Sequence, residues 1–292
     1  MIIDIHAHTS NYDLWNLHVR RADIQDLERL AEKYGISKIV LVATYFPFKG
    51  RGLPNGELLE RIRDKRLFSM FGSLDAMNNF AEGIKELGEL AKTQLISGIK
   101  LYPGYQNFDF GSNEAYPIYE LAARYHLPVM FHSGELHHCC PKEQIARGEY
   151  KCKNNFCYIE KLGHLARPKV LLPAIRQFSE VKFVLSHLGN PYFDETREVL
   201  SLCSNAYTDI SGQLVSGSEE DNPEYRKEVK GELEKFLMLP SGIDRILFAS
   251  DFPIQSYEYS IELVKSLGLG HEGEEKIFSS NAMKILKLKE ET

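Results

Sequence analysis

Short apolar runs alternate along the chain with longer stretches whose apolar positions recur every three to four residues. The first run, 1–8, holds Ile2, Ile3 and Ile5, side chains that favour a buried strand. A helical stretch follows from about Asp23, a suitable N-cap. Ile24, Leu27, Leu30, Ala31 and Tyr34 fall on one face of it, and Gly35 is placed to end it. Residues 37–43 are almost continuously apolar, as expected of a strand covered on both sides. A helix near 57–64 leads to a strand at 67–74, a helix near 80–92 to a strand at 96–101, and a helix near 114–125 to a strand at 128–132. The later strands are predicted at 181–186, 206–210 and 245–249. Helices near 171–178, 195–202, 224–237, 257–267 and 274–288 complete the pattern.

Eight strand–helix units in sequence with buried strands predict a parallel (β/α)8 barrel, one domain spanning 1–292. A doubly wound open sheet would show the same alternation and is the alternative. One connection breaks the rhythm. Residues 133–167 form a long insertion after the fifth strand, and long loops at that end of a barrel tend to be lids or binding loops.

Composition narrows the classes. The chain has 292 residues, 43% hydrophobic and 26% charged, the balance of a globular protein with a sizeable core. A formal net charge of -6 without a basic cluster speaks against nucleic acid as a partner. No apolar run approaches the ~20 residues of a membrane span. The first residues carry neither a basic lead nor an apolar signal segment, so the expected location is cytoplasmic. Five cysteines, an odd count, fit thiols or metal ligands better than a disulfide framework. The expected partner is a small molecule, with carboxylates among the candidates, and a homo-oligomer is compatible with everything in the sequence.

The chemistry-bearing residues gather where the apolar runs stop. His6 and His8 end the first strand, and alternation along a strand puts them, with Asp4 below, on one face. Lys100 lies near the end of the fourth strand, while His132 ends the fifth, His187 the sixth and Asp251 the eighth. A barrel enzyme keeps its site at these C-terminal strand ends. Imidazole and carboxylate donors suit zinc or a similar divalent ion, and an open coordination position makes such a site catalytic. A bound ion lowers the pKa of its water from ~15.7 to ~7. Asp251 is placed to take a proton, and His187 to hydrogen-bond a substrate oxygen.

With these motifs in hand, I-D-I-H-A-H, G-I-K-L-Y-P, F-H-S-G, S-H-L-G-N-P and F-A-S-D-F-P, the chain resembles the amidohydrolase superfamily, in its amidohydrolase-2 branch. Residues 280–285 resemble the helix that closes many members. The resemblance implies one or two divalent ions, Zn2+ foremost, held by His6, His8, His132 and Asp251, with His187 as a further ligand or as a group that polarises substrate. It also implies a bridging role for Lys100 if that lysine is carboxylated. The activity implied is metal-dependent hydrolysis of a C–N or C–O bond in a small substrate. The alternative within the branch is nonoxidative decarboxylation of a small unsaturated or aromatic acid.

Lys100, Tyr102 and Glu135 are further candidates for substrate contact, while Asp4 is expected to support the site rather than bind metal. Arg20, Arg21, Lys49 and Arg51, on loops after the first two strands, could hold a substrate carboxylate. In the insertion, His137, His138, Cys139, Cys140, Cys152 and Cys157 could hold a second, structural Zn2+. Their spacing departs from C-x2-C, so plain thiols or a redox pair stand beside that reading. Cys203 is expected to pack in the core on an apolar helix face.

Overall fold

The architecture is that of a computed structural model, which describes residues 1–10, 19, 22–45, 53–136, 158–218 and 221–288. Its eight strands are β1 (Ile2–Ala7), β2 (Ile36–Val42), β3 (Phe68–Gly72), β4 (Gly98–Leu101), β5 (Val129–Phe131), β6 (Phe183–Leu185), β7 (Ala206–Asp209) and β8 (Ile246–Leu247). Each pairs with the next in parallel, in the order β1 to β8. The ring is drawn together by backbone bonds from Ile5 N to the oxygen of Phe248, from Asp251 N to that of His6 and from His8 N to that of Phe252. The sheet is therefore a nearly closed (β/α)8 barrel rather than an open one.

Parallel strands need crossovers, and here helices supply them. The first, Ile24–Tyr34, is capped as its sequence predicts. The Asp23 side chain accepts from Asp26 N, and Gly35 adopts φ 68° while its N–H bonds the oxygen of Ala31. Two apolar layers result. Outward strand residues such as Ile39, Ile99, Phe131, Phe183 and Phe248 pack under the helices. Inward residues Ile3, Ile5, Val40, Val42, Phe71, Met130, Val184, Leu247 and Ala249 fill the barrel, with Ala282 and Ile285 plugging its lower end. The filled barrel leaves the opposite rim as the place where polar side chains meet.

Two differences from the predicted elements have local causes. The helix predicted near 274–288 is a succession of Gly270–Glu275, a wide turn at Lys276–Ser280 and Asn281–Leu286. The wide turn lets the oxygen of Ile277 accept from Phe248 N, while Asn281 Nδ2 donates to the oxygens of Ile243 and Ile246, so the helix is tied to β8. The second difference lies in β1. Asp4 faces Ile39 and Ala7 faces Leu41, so three steps along β1 match two along β2. This bulge leaves Asp4 on the face of outward Ile39 while Ile3 and Ile5 line the interior. Asp4 does not share the face of His6, contrary to simple alternation.

Candidate metal centre and active site

β1 and β8 bring together the first half of the site. His8 Nε2 lies 3.0 Å from Asp251 Oδ1, and His6 Nε2 lies 3.5 Å from the same oxygen. His6 and Asp251 are buried, and His8 is half-exposed toward the rim. Asp251 adopts φ 53°, an uncommon conformation for a residue with a side chain, costing on the order of 1–3 kcal/mol. It is held by its N–H to the oxygen of His6 (2.7 Å) and by Ile254 N–H to its own carbonyl (2.9 Å). The Asp-Phe-Pro turn thus places the carboxylate against the β1 histidines.

β6 and β7 supply the second half. His187, at φ 64°, donates its backbone N–H to Asp209 Oδ1 at 3.0 Å. Ser211 N donates to the same oxygen at 3.0 Å, and Ser211 Oγ at 2.5 Å. Asp209 Oδ2 is buried without a hydrogen-bond partner and lies 3.5 Å from His6 Nδ1. Gly212 follows at φ 59°, and a Cβ there would stand 2.6 Å from His187 Nδ1, so the close approach of this turn to the imidazole needs glycine.

Sequence reasoning passed over Asp209, Ser211 and Gly212. The rule that singled out the other strand ends would have reached Asp209, which closes β7 as Asp251 follows β8. The strand predicted at 206–210 ran on to Ile210 and so put Asp209 inside it, whereas β7 closes at Asp209.

Between the halves lies Lys100, fully buried on β4. Its Nζ is 3.2 Å from His6 Nε2 and donates to Ser186 Oγ at 3.1 Å. Burial pushes the ammonium down to about 8, against the pull of Asp209 and Asp251. Burial also drives His6 down to about 3, helped by Lys100 and opposed by both aspartates, and it lowers His187. For Asp251 burial opposes ionisation, but the imidazoles of His6, His8 and His187 hold its carboxyl well below the usual range. Asp209 is likewise lowered against its burial by His6 and His187. With His6 and His187 neutral, two carboxylates face one ammonium in a buried setting.

The remaining predicted residues fall in different places. The His132 ring lies 5.0 Å from that of His187, centroid to centroid, and its Nε2 is 3.1 Å from the oxygen of Glu135. Binding a metal through Nε2 would mean giving up that contact. Tyr102 is buried and donates to the oxygen of Ala43 at 2.7 Å, with its ring 5.5 Å from Lys100 Nζ. The Glu135 side chain is exposed. Asp4 accepts from Ser250 N, Ser250 Oγ and His6 N, tying β1 to β8 from outside the barrel. Cys203 is buried, just past the helix Phe193–Leu202 rather than on it. His137, His138, Cys139, Cys140, Cys152 and Cys157 lie outside the described residues, as do Arg20, Arg21, Lys49 and Arg51.

The donors fit a divalent ion. Among the described residues, two overlapping groups bring one ligand atom from each residue within 4.8 Å of the others: His6, His8 and Asp251, and His6, His187 and Asp209. Neutral imidazoles beside ionised carboxylates are the protonation states a metal requires. The excess negative charge and the unpartnered Asp209 Oδ2 are what a nearby cation would offset.

A parallel barrel with histidines and aspartates converging at its strand ends defines a class of barrel enzymes. The chain belongs to the amidohydrolase family, whose family model matches residues 3–288. No curated protein matches the sequence. Among solved structures, a probable 2-pyrone-4,6-dicarboxylic acid hydrolase from Acinetobacter baumannii with citric acid bound is 16% identical, covers 98% of this chain and 99% of its own, and superposes with a TM-score of 0.69. A 2,6-dihydroxybenzoate decarboxylase from Rhizobium is 14% identical, with 98% and 99% covered and a TM-score of 0.65. A dihydroxybenzoic acid decarboxylase from Polaromonas sp. JS666, with manganese and 2-nitroresorcinol bound, is 16% identical, with 98% and 97% covered and a TM-score of 0.63. At these identities the likeness is one of fold. Among the described residues, no helix is long and apolar enough to cross a membrane.

Proposed function

We propose that this chain is a metal-dependent hydrolase that cleaves a C–N or C–O bond of a small substrate bearing a carboxylate. The observation that carries the reading is Asp251, a buried carboxylate kept ionised 3.0 Å from His8 Nε2 and 3.5 Å from His6 Nε2. His6, His8 and Asp251 would hold the ion, with His187 beside them as a further ligand or a substrate-polarising group and His132 as an outer candidate. The ion, zinc or manganese, would polarise the bond under attack and acidify the attacking water. Asp251 receives the proton released from that water and returns it to the leaving group. Lys100, a buried cation beside the centre, faces the substrate's carboxylate or the oxygen that gains charge. It serves as a free ammonium; a carboxylated Lys100 would instead bridge two ions.

A second reading, decarboxylation of a small unsaturated or aromatic acid, is supported by the same donor set and by the decarboxylases among the structural neighbours. The experiment that separates them uses purified protein loaded in turn with zinc and manganese. It is offered lactones and amides of dicarboxylic acids and a set of hydroxybenzoates. Acid release by pH-stat reports hydrolysis, and headspace carbon dioxide reports decarboxylation. Metal-dependent acid release without carbon dioxide is expected. Carbon dioxide as the product transfers the chain to the second reading, and inertness of the fully loaded protein toward the whole panel removes both.

A further inference from the structure

Asp209 and Ser211 lie at the end of β7 and just beyond it, at a strand end from which no ligand was expected, yet Ser211 Oγ meets the buried imidazoles of both His6 and His187 and Asp209 lies beside that of His6. Asp209 Oδ1 accepts from two backbone N–H groups, those of His187 and Ser211, each at 3.0 Å. Backbone amides only donate, so this oxygen is an acceptor. The third group on it, Ser211 Oγ at 2.5 Å, must therefore spend its single hydrogen there. What Ser211 Oγ shows to its other neighbours is lone pairs alone. Those neighbours are His187 Nδ1 at 2.9 Å and His6 Nδ1 at 3.2 Å. Both ring nitrogens must then carry the proton. The backbone oxygen of Ser211, 3.1 Å from His187 Nδ1, is an acceptor as well and demands the same of that ring.

We propose that the end of β7, through Asp209 and Ser211, is a positioning device that sets His6 and His187 in the tautomer protonated on Nδ1, leaving both Nε2 lone pairs free. One independent contact agrees. The Lys100 ammonium, which can only donate, lies 3.2 Å from His6 Nε2, so that nitrogen accepts. His6 Nε2 is also the atom that faces the Asp251 carboxylate. The two groups of three have different tasks in consequence. His6, His187 and Asp209 gather where protons are fixed, while His6, His8 and Asp251 gather where a lone pair and a carboxylate oxygen are presented to a cation. Of the two roles proposed for His187, this tautomer selects that of a further ligand, since Nε2 then lacks a proton to donate to a substrate oxygen. The orientation of a ligating imidazole by a carboxylate or carbonyl on its other nitrogen is a general way to raise metal affinity.

The inference rests on the metal reading above only for its benefit to zinc binding; the tautomers themselves are testable without metal. The metal-free protein is labelled with 15N-histidine, and the ring nitrogens of His6 and His187 are identified by comparison with His6→Gln and His187→Gln. Both rings are expected to show a protonated Nδ1 and a bare Nε2. Asp209→Asn keeps one oxygen for the backbone N–H groups but turns an NH2 toward His6 Nδ1. The proton of His6 should then move to Nε2, and zinc affinity, read by chelator competition, should fall ~10–100-fold, the range for such supporting partners. Ser211→Ala should weaken zinc in the same direction, and Ser211→Thr, which keeps the hydroxyl, should restore it. A wild-type spectrum with the proton on Nε2 of either ring overturns the proposal, even if Asp209→Asn fails to fold. A folded Asp209→Asn with wild-type tautomers and zinc affinity overturns it too. Correct tautomers in a wild-type protein that binds no zinc would instead defeat the metal reading and leave the role of β7 standing.

Discussion

At the scale of single residues, the site is a contest between burial and charge. Burial works against the charge on both Asp251 and Lys100; the imidazoles of His6, His8 and His187 keep Asp251 ionised, and the pull of Asp209 and Asp251 limits the fall of the Lys100 ammonium to about 8. Asp251→Asn keeps the shape, removes the proton acceptor and leaves the Lys100 charge with one partner fewer. Turnover should drop at least ~10²-fold, the lower end of what a general base contributes, and bound metal should drop with it. Steady-state rates and elemental analysis check this, and turnover within a few-fold of wild type would place the proton transfer elsewhere. Gly212→Ala tests the closeness of the β7 turn. A side chain at φ 59° costs roughly 1–2 kcal/mol of backbone strain, and its Cβ would press on His187 Nδ1 at 2.6 Å. Urea unfolding should show at least that loss, with zinc affinity reduced ~10-fold or more. Wild-type zinc affinity in a stable variant would mean that the turn yields without moving the imidazole.

At the scale of elements, the sequence was legible wherever an apolar strand gives way to a polar side chain at or near its end. β5, β6 and β8 turn polar just after their last apolar residues, and Lys100 interrupts β4 one residue before its end, so Lys100, His132, His187 and Asp251 were found as a result. β7 was read as a strand but one residue too long, to Ile210, so Asp209 fell inside it instead of at its end. The bulge in β1 was invisible for another reason. Alternation assumes a regular ladder, and nothing in the residue types of Asp-Ile-His announces the extra step between Asp4 and Ala7. For the insertion, the prediction stays where the sequence put it. Four cysteines beside a histidine pair, in a stretch with few aliphatic residues to build a core, favour a metal cross-link that offsets the entropy of ordering it. Replacing Cys152 and Cys157 with Ser should remove one zinc per chain, leave the metal at the strand ends and expose 137–157 to limited proteolysis. An unchanged metal count by elemental analysis would show these cysteines to be plain thiols.

At the scale of the whole molecule, the site exists only while the barrel is closed. His6 and Asp251 stand at opposite ends of the chain, and the ring holds them together at the β1–β8 seam. The bonds from Asp251 N to His6 and from His8 N to Phe252 cross that seam on the inner side. Asp4 with Ser250 crosses it on the outer side, where Ser250 Oγ donates to Asp4 Oδ2 at 2.6 Å and accepts from Phe252 N at 3.0 Å. Burial lifts Asp4 to about 7, opposed chiefly by the Ser250 hydroxyl, so this clip depends on its donors. Ser250→Ala removes the hydroxyl, leaving Asp4 Oδ2 and the N–H of Phe252 each short of a partner. The expected loss is roughly 1–3 kcal/mol for a buried group left unsatisfied. A metal that binds only the closed ring adds stability by mass action, about 2.7 kcal/mol at a free concentration one hundred times its Kd. Zinc should therefore raise the urea midpoint of the wild-type protein with little change in slope. In Ser250→Ala both the metal-free midpoint and the zinc-dependent rise at fixed zinc should be smaller, since a looser seam holds His6 and Asp251 less firmly in register. A variant that loses stability but keeps the full zinc-dependent rise would show that the seam supports the barrel without shaping the centre.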